Sequence, residues 1–346
     1  MQIERPDLSQ VDPQVRAYIE SLEAALQELR ALQDQASTTV SQEALEQEQL
    51  PTTLCVITLS ANGTGKRTPR NLYSRQRRGG MGVFDLDHPD QDTRVLLAIA
   101  DLSQSLVLLT NHARAFRVPV KGLPEAPVHS RGTSISSRLG WQEDEELVAA
   151  LPDMARGSLA LLSEHGFVRC LRHHVFGEYM KPGTVLFDVR QAGLLSAASW
   201  TPGDGDLFIA SRQGRAIRFA EKLVPPAGVM GIKLEAEDKA VAVAPVYAES
   251  WVFLLSADGR GTIRDMAGFN PNKSAGGSGK IAMNTSSLVG AVSVEEKDDL
   301  FVISRLRKII RFPAAEVPVK EGVVQGVACM SLRADETVAL VASQPA

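Results

Sequence analysis

The stretch "LFIASRQGRAIRF", residues 207–219, is the key to the fold of this chain. It consists of an apolar run that ends in a serine, a Gln-Gly turn, and a second run that carries arginines. Two short β-forming runs joined by a glycine-containing turn predict a β-hairpin. This hairpin is therefore the unit to look for in the rest of the sequence.

The hairpin pattern occurs six times. The copies start at Val56, Leu106, Leu159, Leu207, Val252 and Leu300 and contain a hydroxyl residue at Ser60, Thr110, Ser163, Ser211, Ser256 and Ser304. These residues are spaced by 50, 53, 48, 45 and 48 positions, and a glycine signal such as "RRGGMGVF" or "AGVMGIKL" follows each hairpin. Two signals with one period predict an all-β chain that folds as a six-bladed β-propeller, whose closure protects the strand edges.

Two common propeller classes do not fit. Trp141, Trp200 and Trp251 are not followed by Asp, which excludes WD40 repeats. Paired glycines occur only at Gly79-Gly80 and Gly276-Gly277, which excludes kelch repeats.

The N-terminal region has a different composition. Asp12 as N-cap and Pro13 predict an α-helix over 13–34, within an N-terminal unit 1–35 that precedes the propeller. Val15, Leu22 and Leu29 recur every seven residues, which favours a short coiled coil and a homodimer. The alternative is an amphipathic helix packed on its own chain. Residues 36–51 are predicted as a linker and residues 52–342 as the propeller.

Composition indicates an intracellular globular protein. Cys55, Cys170 and Cys329 are too few and too far apart for a disulfide framework or a zinc site. No signal peptide and no apolar run of membrane-spanning length is found, so we expect a cytoplasmic location without membrane contact. Neither a cofactor nor a metal is predicted.

Charge is distributed unevenly. The net charge is -4 for the chain, but residues 1–50 hold ten acids and three bases, so the remainder is net positive by three. The stretch "KRTPRNLYSRQRR", residues 66–78, has six bases and no acid. Such a local field favours a polyanionic partner.

This stretch resembles the segment that ends in the gyrase box of bacterial DNA gyrase A subunits. The family heptapeptide, Q-R-R-G-G-K-G, stands here as Gln76, Arg77, Arg78, Gly79, Gly80, Met81 and Gly82. The following "LVLLTNHARAFRVPVKGLPEAPVHSRGTSI" is similar to the second blade of that family. The resemblance covers residues 53 to about 340 and includes the related topoisomerase IV A subunits.

The resemblance implies a β-pinwheel, a propeller whose blades exchange a strand with their neighbours. It also implies that duplex DNA is bound, bent and wrapped around the outer rim without sequence preference, with the box closing the ring. Rim cations would neutralise phosphates and release counterions, and arginines would fork onto phosphate oxygens. The predicted DNA-binding residues are Gln76, Arg77, Arg78, Gly79, Gly80, Gly82, Lys66, Arg67, Arg70, Arg75, Arg117, Arg169, Arg218, Arg264 and Arg311.

Alternatives remain open for these residues. Arg77 and Arg78 could form a structural latch on carbonyls of the last blade. The arginines on the second hairpin strands could lie on a solvated strand face.

The sequence departs from the family in two respects. Met81 replaces the family lysine, which favours weaker wrapping. Tyr18, Tyr73, Tyr179 and Tyr247 do not follow an arginine, so no tyrosine nucleophile of the catalytic type is present.

We therefore expect a free-standing, non-catalytic DNA-wrapping domain without a breakage-reunion domain, with a topoisomerase core as a candidate partner. The alternatives are a protein-interaction propeller that has lost DNA wrapping and the DNA-wrapping part of a split type IIA topoisomerase.

Three other segments resemble functional motifs only in part. "SAGGSGKI", residues 274–281, lacks the first glycine and the final hydroxyl of a P-loop. His165, His173, His174 and Cys170 do not have zinc spacing, so we expect a surface turn. The acidic run 142–147 is predicted as a solvated loop or as a site that repels DNA.

Overall fold

The computed structural model describes residues 52–87, 94–142 and 144–344, together with Asp12, Gln14, Val15, Tyr18, Ile19 and Leu22. The chain divides into two compact units, residues 1–50 and 51–346. In the first unit, the described residues from Gln14 to Leu22 have helical backbone. The rest of the predicted helix and the linker 36–51 lie outside the described residues, so the coiled coil stays a prediction.

The second unit is built from six sheets, each formed around one predicted hairpin. From the centre outward, a blade has an inner strand, two hairpin strands and a short outer strand. In this order the strands are Val95–Asp101, Leu54–Ser60, Thr64–Pro69 and Thr133–Ser134 in blade 1; Leu147–Pro152, Ser105–Thr110, Arg114–Pro119 and Thr184–Val185 in blade 2; Leu195–Thr201, Ser158–Ser163, Phe167–Arg172 and Val229–Met230 in blade 3; Ala240–Val246, Asp206–Ser211, Arg215–Ala220 and Lys280–Ile281 in blade 4; Leu288–Val294, Trp251–Ser256, Arg260–Asp265 and Val319–Lys320 in blade 5; Thr337–Ser343, Asp299–Ser304, Lys308–Pro313 and Val83–Phe84 in blade 6. The predicted six-bladed, all-β fold is confirmed.

Few elements lie outside this plan. Val327–Ala328 also pairs with Arg260–Asp265, and Leu86–Asp87 pairs with Ser130–Arg131. The short α-helices are Ser136–Leu139 and Val189–Ala192, and the 3-10 helices are Arg70–Leu72, Val120–Gly122, His173–Phe176, Glu221–Leu223 and Ala314–Glu316. No helix among the described residues is long and apolar enough to cross a membrane.

The outer strand of each blade comes from the next blade along the chain. Thr133–Ser134, for example, follows the hairpin of blade 2 but pairs with Thr64–Pro69 of blade 1. The last exchange closes the ring, because Val83–Phe84 follows the hairpin of blade 1 and pairs with Lys308–Pro313 of blade 6. The stretch before each outer strand therefore runs along the outside of the ring. We call residues 70–84, 120–134, 173–185, 221–230, 266–281 and 314–328 the outer segments.

The apolar core lies between blades. The first hairpin strands are buried on both faces, since each is covered by two neighbouring blades, and this explains their nearly continuous apolar runs. One hydrophobic cluster fills each interface, including Val56 and Tyr73 of blade 1 against Phe301 and Ile303 of blade 6. The inner strands surround a central cavity of about 320 Å³.

The repeated hydroxyl residue has a structural function. All six are buried at the end of the first hairpin strand. In Ser60, Thr110, Ser163 and Ser304 the hydroxyl oxygen accepts a hydrogen bond from the backbone N–H four residues later, at 3.0, 3.4, 3.1 and 3.2 Å. In these four copies the hydroxyl thus pairs with the backbone donor of the first residue of the second hairpin strand.

Candidate nucleic-acid interface

Residues 76–82, the closing loop, lie at the seam between blade 1 and blade 6. The loop leads directly into Val83–Phe84, with Val83 opposite Ile309 and Phe84 opposite Lys308. Its position follows from the strand exchange. Each outer segment pairs with the blade before it around the ring, and for the first outer segment that blade is blade 6. The loop therefore joins the two ends of the ring.

The backbone of the closing loop bonds to blades 5 and 6. The N–H of Gln76 donates to the Arg311 carbonyl at 2.7 Å, and the N–H of Gly79 donates to the Cys329 carbonyl at 2.8 Å. The Gly80 carbonyl accepts from the N–H of Ser331 at 2.9 Å, while the Gly80 N–H donates to the Arg77 carbonyl at 3.2 Å. The amides of Gly79 and Gly80 are thus used within the protein.

Close packing explains the last glycine of the loop. Gly82 has φ +69°, and a Cβ on it would lie 2.6 Å from the Ile309 carbonyl oxygen. Only glycine fits both the left-handed backbone and this separation. The glycine makes room for the approach of the loop to blade 6.

Arg78 is a latch. Its N–H donates to the Glu316 carboxylate at 2.7 Å, and its guanidinium donates to the carbonyls of Glu316 at 2.9 Å and Ala328 at 3.1 Å. The latch alternative therefore describes the contacts of Arg78, although the bonded carbonyls lie in the outer segment that precedes the last inner strand.

Arg77 has a different environment from Arg78. It is exposed, and its side chain forms no hydrogen bond or ion pair with any described residue. Met81, later in the same loop, is 54% exposed. At the seam, Arg77 is thus the box cation that is free to meet an anion.

Three arginines of the seam surround the buried carboxylate of Asp299. Arg70 and Arg311 donate to its Oδ2 atom, each at 2.9 Å, and the Arg75 Nε atom lies 2.9 Å from its Oδ1 atom. Arg70 also donates to the Gln344 carbonyl at 2.6 Å and Arg311 to the Tyr73 carbonyl at 2.9 Å. Burial, and then the cations Arg70 and Arg75, lower the pKa of Arg311, whereas Asp299 opposes this shift. This cluster ties the first outer segment to blade 6.

Two predicted DNA contacts are contradicted by burial. The side chains of Lys66 and Arg70 have no exposed surface. The Lys66 ammonium pairs with Asp85 at 3.0 Å and donates to the carbonyls of Asp85 and Pro127 and to Ser130. Desolvation lowers the pKa of Lys66, and Asp85 opposes that shift. Neither side chain can touch a phosphate in this arrangement.

The strand arginines also differ from the prediction of a repeated rim contact. Arg218, Arg264 and Arg311 are buried, and Arg67, Arg117 and Arg169 are half-buried. The six arginines do not occupy the same position in their strands. The fourth position of the strand is occupied by Arg67, Arg117, Arg218 and Arg311, the third by Arg169 and the fifth by Arg264. Successive strand residues point to opposite faces, so the six do not form one row.

Most of these arginines instead connect neighbouring blades through hydrogen bonds. Five of them donate to carbonyls of the next blade's outer segment: Arg67 to Leu123, Arg169 to Pro226, Arg218 to Met266 and Phe269, Arg264 to Gly322, and Arg311 to Tyr73. Arg117 pairs with Asp153 at 2.8 Å, and Arg218 with Asp206 at 2.7 Å. The alternative of a solvated strand face is wrong for Arg218, Arg264 and Arg311, because a guanidinium group satisfies carbonyls that the strand exchange would otherwise leave unpaired.

Exposed cations that the sequence analysis did not single out lie along the outer segments. They are Lys121, Arg131, Lys181, Lys222, Lys273, Lys280 and Lys320, and Lys233 follows the fourth segment. By contrast, the loops between inner strands and the next hairpins carry more acids than bases: the acids are Asp153, Asp204, Glu249, Glu295, Glu296 and Asp298, and the bases are Arg156 and Lys297. The rim is thus more basic than this axial face. Period-aligned inspection of the segments after each hairpin is the signal that would have found these lysines.

Within the described part of the chain, no group of three or more His, Cys, Asp or Glu residues is arranged to hold a metal ion. His173 and His174 lie in a 3-10 helix with ring centroids 6.1 Å apart.

Comparisons with known proteins agree with this geometry. The family "DNA gyrase C-terminal domain, beta-propeller" matches residues 56–87, 104–152, 205–246 and 298–344. The DNA gyrase A subunit of Mycobacterium leprae is 26% identical over 301 residues, which are 83% of this chain and 24% of that protein. The DNA gyrase A subunit of Salmonella typhimurium is 28% identical over 295 residues, or 82% of this chain and 34% of that protein.

Two solved structures share the fold. A DNA gyrase A C-terminal domain superposes with a TM-score of 0.73 at 21% identity, covering 83% of this chain and 98% of that one. The C-terminal domain of a DNA topoisomerase IV gives a TM-score of 0.61 at 18% identity, covering 86% and 95%. The chain spans about a quarter to a third of the curated relatives it matches. With its six strand-exchanged blades and its box at the ring closure, the chain belongs to the family of DNA gyrase A C-terminal domains.

Proposed function

We propose that this domain binds duplex DNA around its outer rim, without sequence preference, and bends and wraps it in support of DNA topology. The supporting observation is the contrast between the basic outer segments and the acidic axial loops. A duplex that follows the rim meets a cation on every outer segment. Phosphate neutralisation and counterion release then provide the affinity, and the number of contacts stabilises the bend.

Within this proposal the residues have separate functions. Arg77 contacts phosphate directly, with Arg75 and the outer-segment cations beside it. Gln76, Arg78, Gly79, Gly80 and Gly82 hold the closing loop on the last blades and so fix the position of Arg77. Lys66, Arg70 and the buried strand arginines maintain the ring whose curvature the DNA follows.

The proposed partners and location follow from the same chemistry. The domain works on DNA in the cytoplasm, at the nucleoid, as a non-catalytic accessory to a type IIA topoisomerase core. Self-association through residues 13–34 belongs to this proposal as well.

The test measures binding and topology together. Fluorescence anisotropy with a labelled duplex of mixed sequence should show affinity that falls steeply between about 50 and 200 mM salt. Ligation of nicked plasmid in the presence of the protein should trap supercoils. Lack of binding at about 50 mM salt would contradict the proposal.

A second candidate is a protein-interaction propeller that has lost DNA wrapping. Met81 favours it, since an exposed thioether occupies the place of the family lysine, and so does the burial of Lys66, Arg70, Arg218, Arg264 and Arg311. Lack of DNA binding at about 50 mM salt, together with no trapped supercoils, would support this candidate over the first.

A further inference from the structure

A second loop of the ring has the backbone of the closing loop. Residues 272–280 lie in the outer segment that follows the hairpin of blade 5 and lead into the outer strand of blade 4. The N–H of Asn272 donates to the Arg218 carbonyl at 2.6 Å, as the N–H of Gln76 does to the Arg311 carbonyl at 2.7 Å. Arg218 and Arg311 are equivalent fourth residues of their strands.

The hydrogen bonds of the glycine pair are also repeated. The N–H of Gly276 donates to the Gly231 carbonyl at 2.9 Å, matching Gly79 and Cys329 at 2.8 Å. The Gly277 carbonyl accepts from the N–H of Lys233 at 3.0 Å, matching Gly80 and Ser331 at 2.9 Å. The two loops are therefore attached to their neighbouring blades in the same way.

Backbone conformation confirms the equivalence. Gly276 and Gly79 have φ +79° and +80°, and Gly279 and Gly82 have φ +64° and +69°. A Cβ on Gly279 would lie 2.4 Å from the Ala216 carbonyl oxygen, as one on Gly82 would lie 2.6 Å from that of Ile309. The second loop is thus a structural copy of the closing loop at the seam between blades 4 and 5.

The two loops also share their charge. The outer segments 70–84 and 266–281 contain no acid, whereas each of the other four contains at least one: Glu125, Glu178, Glu221, or Glu316 and Glu321. Lys273 follows Asn272 as Arg77 follows Gln76, and it is exposed without a hydrogen bond or ion pair to the described residues. Lys280 is exposed as well, with its Nζ atom 4.1 Å from the Phe269 ring centroid.

Lys280 stands in a positive field. Arg218 and Arg264 lie close enough that, after desolvation, they lower the pKa of Lys280. An anion beside Lys280 would relieve this repulsion, whereas a second cation would add to it.

We infer that residues 272–280 form a second DNA-backbone anchor, in which Lys273 and Lys280 bind phosphates two blades away from Arg77 along the rim. The inference rests on the proposed function and extends it from one anchor to two. A duplex on the rim that touches both seams follows a defined arc of the ring. The bend is then fixed at two points instead of by diffuse attraction alone.

The test compares two double variants with equal loss of charge. Lys273→Ala with Lys280→Ala removes the second anchor. Lys239→Ala with Lys297→Ala is the control, because these exposed lysines lie outside the outer segments and pair with Glu164 and Glu295. Anisotropy with a duplex of about 40 base pairs is measured against salt, and each phosphate contact contributes about 0.9 to the slope of log affinity against log salt.

The anchor variant should bind several-fold more weakly and lose roughly two units of salt slope, while the control keeps the wild-type slope. Lys273→Arg with Lys280→Arg should restore binding, and Lys273→Ala alone should lose roughly one unit without disturbing the packing on Phe269. If the wild type binds and the anchor variant matches the control, the inference is wrong and the proposed function stands. If the wild type itself does not bind, the proposed function fails and the inference with it.

Discussion

The cations at the seam between blades 1 and 6 divide into an interior group and a rim group. Arg70 and Arg311 are buried around Asp299, and Lys66 is buried on Asp85. Arg77, only a few residues away in sequence, is exposed and unbound by the described residues. Arginine thus helps to close the ring in the interior group and is exposed to solvent in the rim group. A basic run in a sequence therefore does not by itself indicate a binding surface.

The largest effect should come from the interior group. Asp299→Ala leaves Arg70, Arg75 and Arg311 without their shared carboxylate, so buried positive charge is no longer compensated. We expect the free energy of unfolding to fall by about 3–5 kcal/mol in urea denaturation. Glu296→Ala, on the exposed axial loop, should change it by less than about 0.5 kcal/mol. Equal effects for the two variants would show that the Asp299 cluster does not hold the ring.

The next effect tests the attachment of the closing loop. Gly82→Ala places a Cβ against the Ile309 carbonyl on left-handed backbone, and we expect a loss of about 1–3 kcal/mol of stability. Gly122→Ala is the matched control, because nothing lies within 4 Å of its Cβ position. An unchanged denaturation midpoint for Gly82→Ala would mean that the loop can leave blade 6 without cost.

Interior thiols provide a pH test. The pKa of Cys170 and that of Cys329 are each raised from 9.0 to about 12 in the folded chain, mainly by burial, and for Cys170 also by the nearby Glu221. Between pH 9 and about pH 12 the two thiols lose their protons in the unfolded chain but keep them in the folded chain. Stability should therefore fall as pH rises above 9, by up to about 1.4 kcal/mol per pH unit for each thiol.

Denaturation at a series of alkaline pH values measures this slope. Cys170→Ala with Cys329→Ala should make the slope shallower, whatever the effect of the substitutions on stability at neutral pH. An unchanged slope would assign the alkaline loss to other groups.

The smallest effect on stability should come from the rim. Arg77→Ala removes no hydrogen bond or ion pair with a described residue, so the free energy of unfolding should change by less than about 0.5 kcal/mol, while the salt slope of DNA binding drops by about one unit. Arg78→Ala loses two carbonyl bonds and should destabilise by about 1–2 kcal/mol. If Arg77→Ala destabilises as much as Arg78→Ala, Arg77 also belongs to the interior group.

The second anchor shows where sequence reasoning stopped. The Gly276-Gly277 pair is visible in the sequence, but the spacing from Asn272 to Gly276 is one residue longer than that from Gln76 to Gly79. A heptapeptide comparison fails at that insertion. The backbone hydrogen bonds accommodate it, because they depend on where the loop meets its neighbours rather than on residue count.

The six hairpins and their period could be read from the sequence, whereas the position of the closing loop between the first and last blades was only implied by the family resemblance. These are local properties, since turn chemistry and apolar runs act over a few residues. Which cations are interior and which are exposed became clear only from the folded ring. The carbonyls that bind Arg67, Arg169, Arg218, Arg264 and Arg311 belong to the next outer segment around the ring, far away in sequence. A guanidinium group is buried only where such partners offset its desolvation, and strand exchange brings those partners to it.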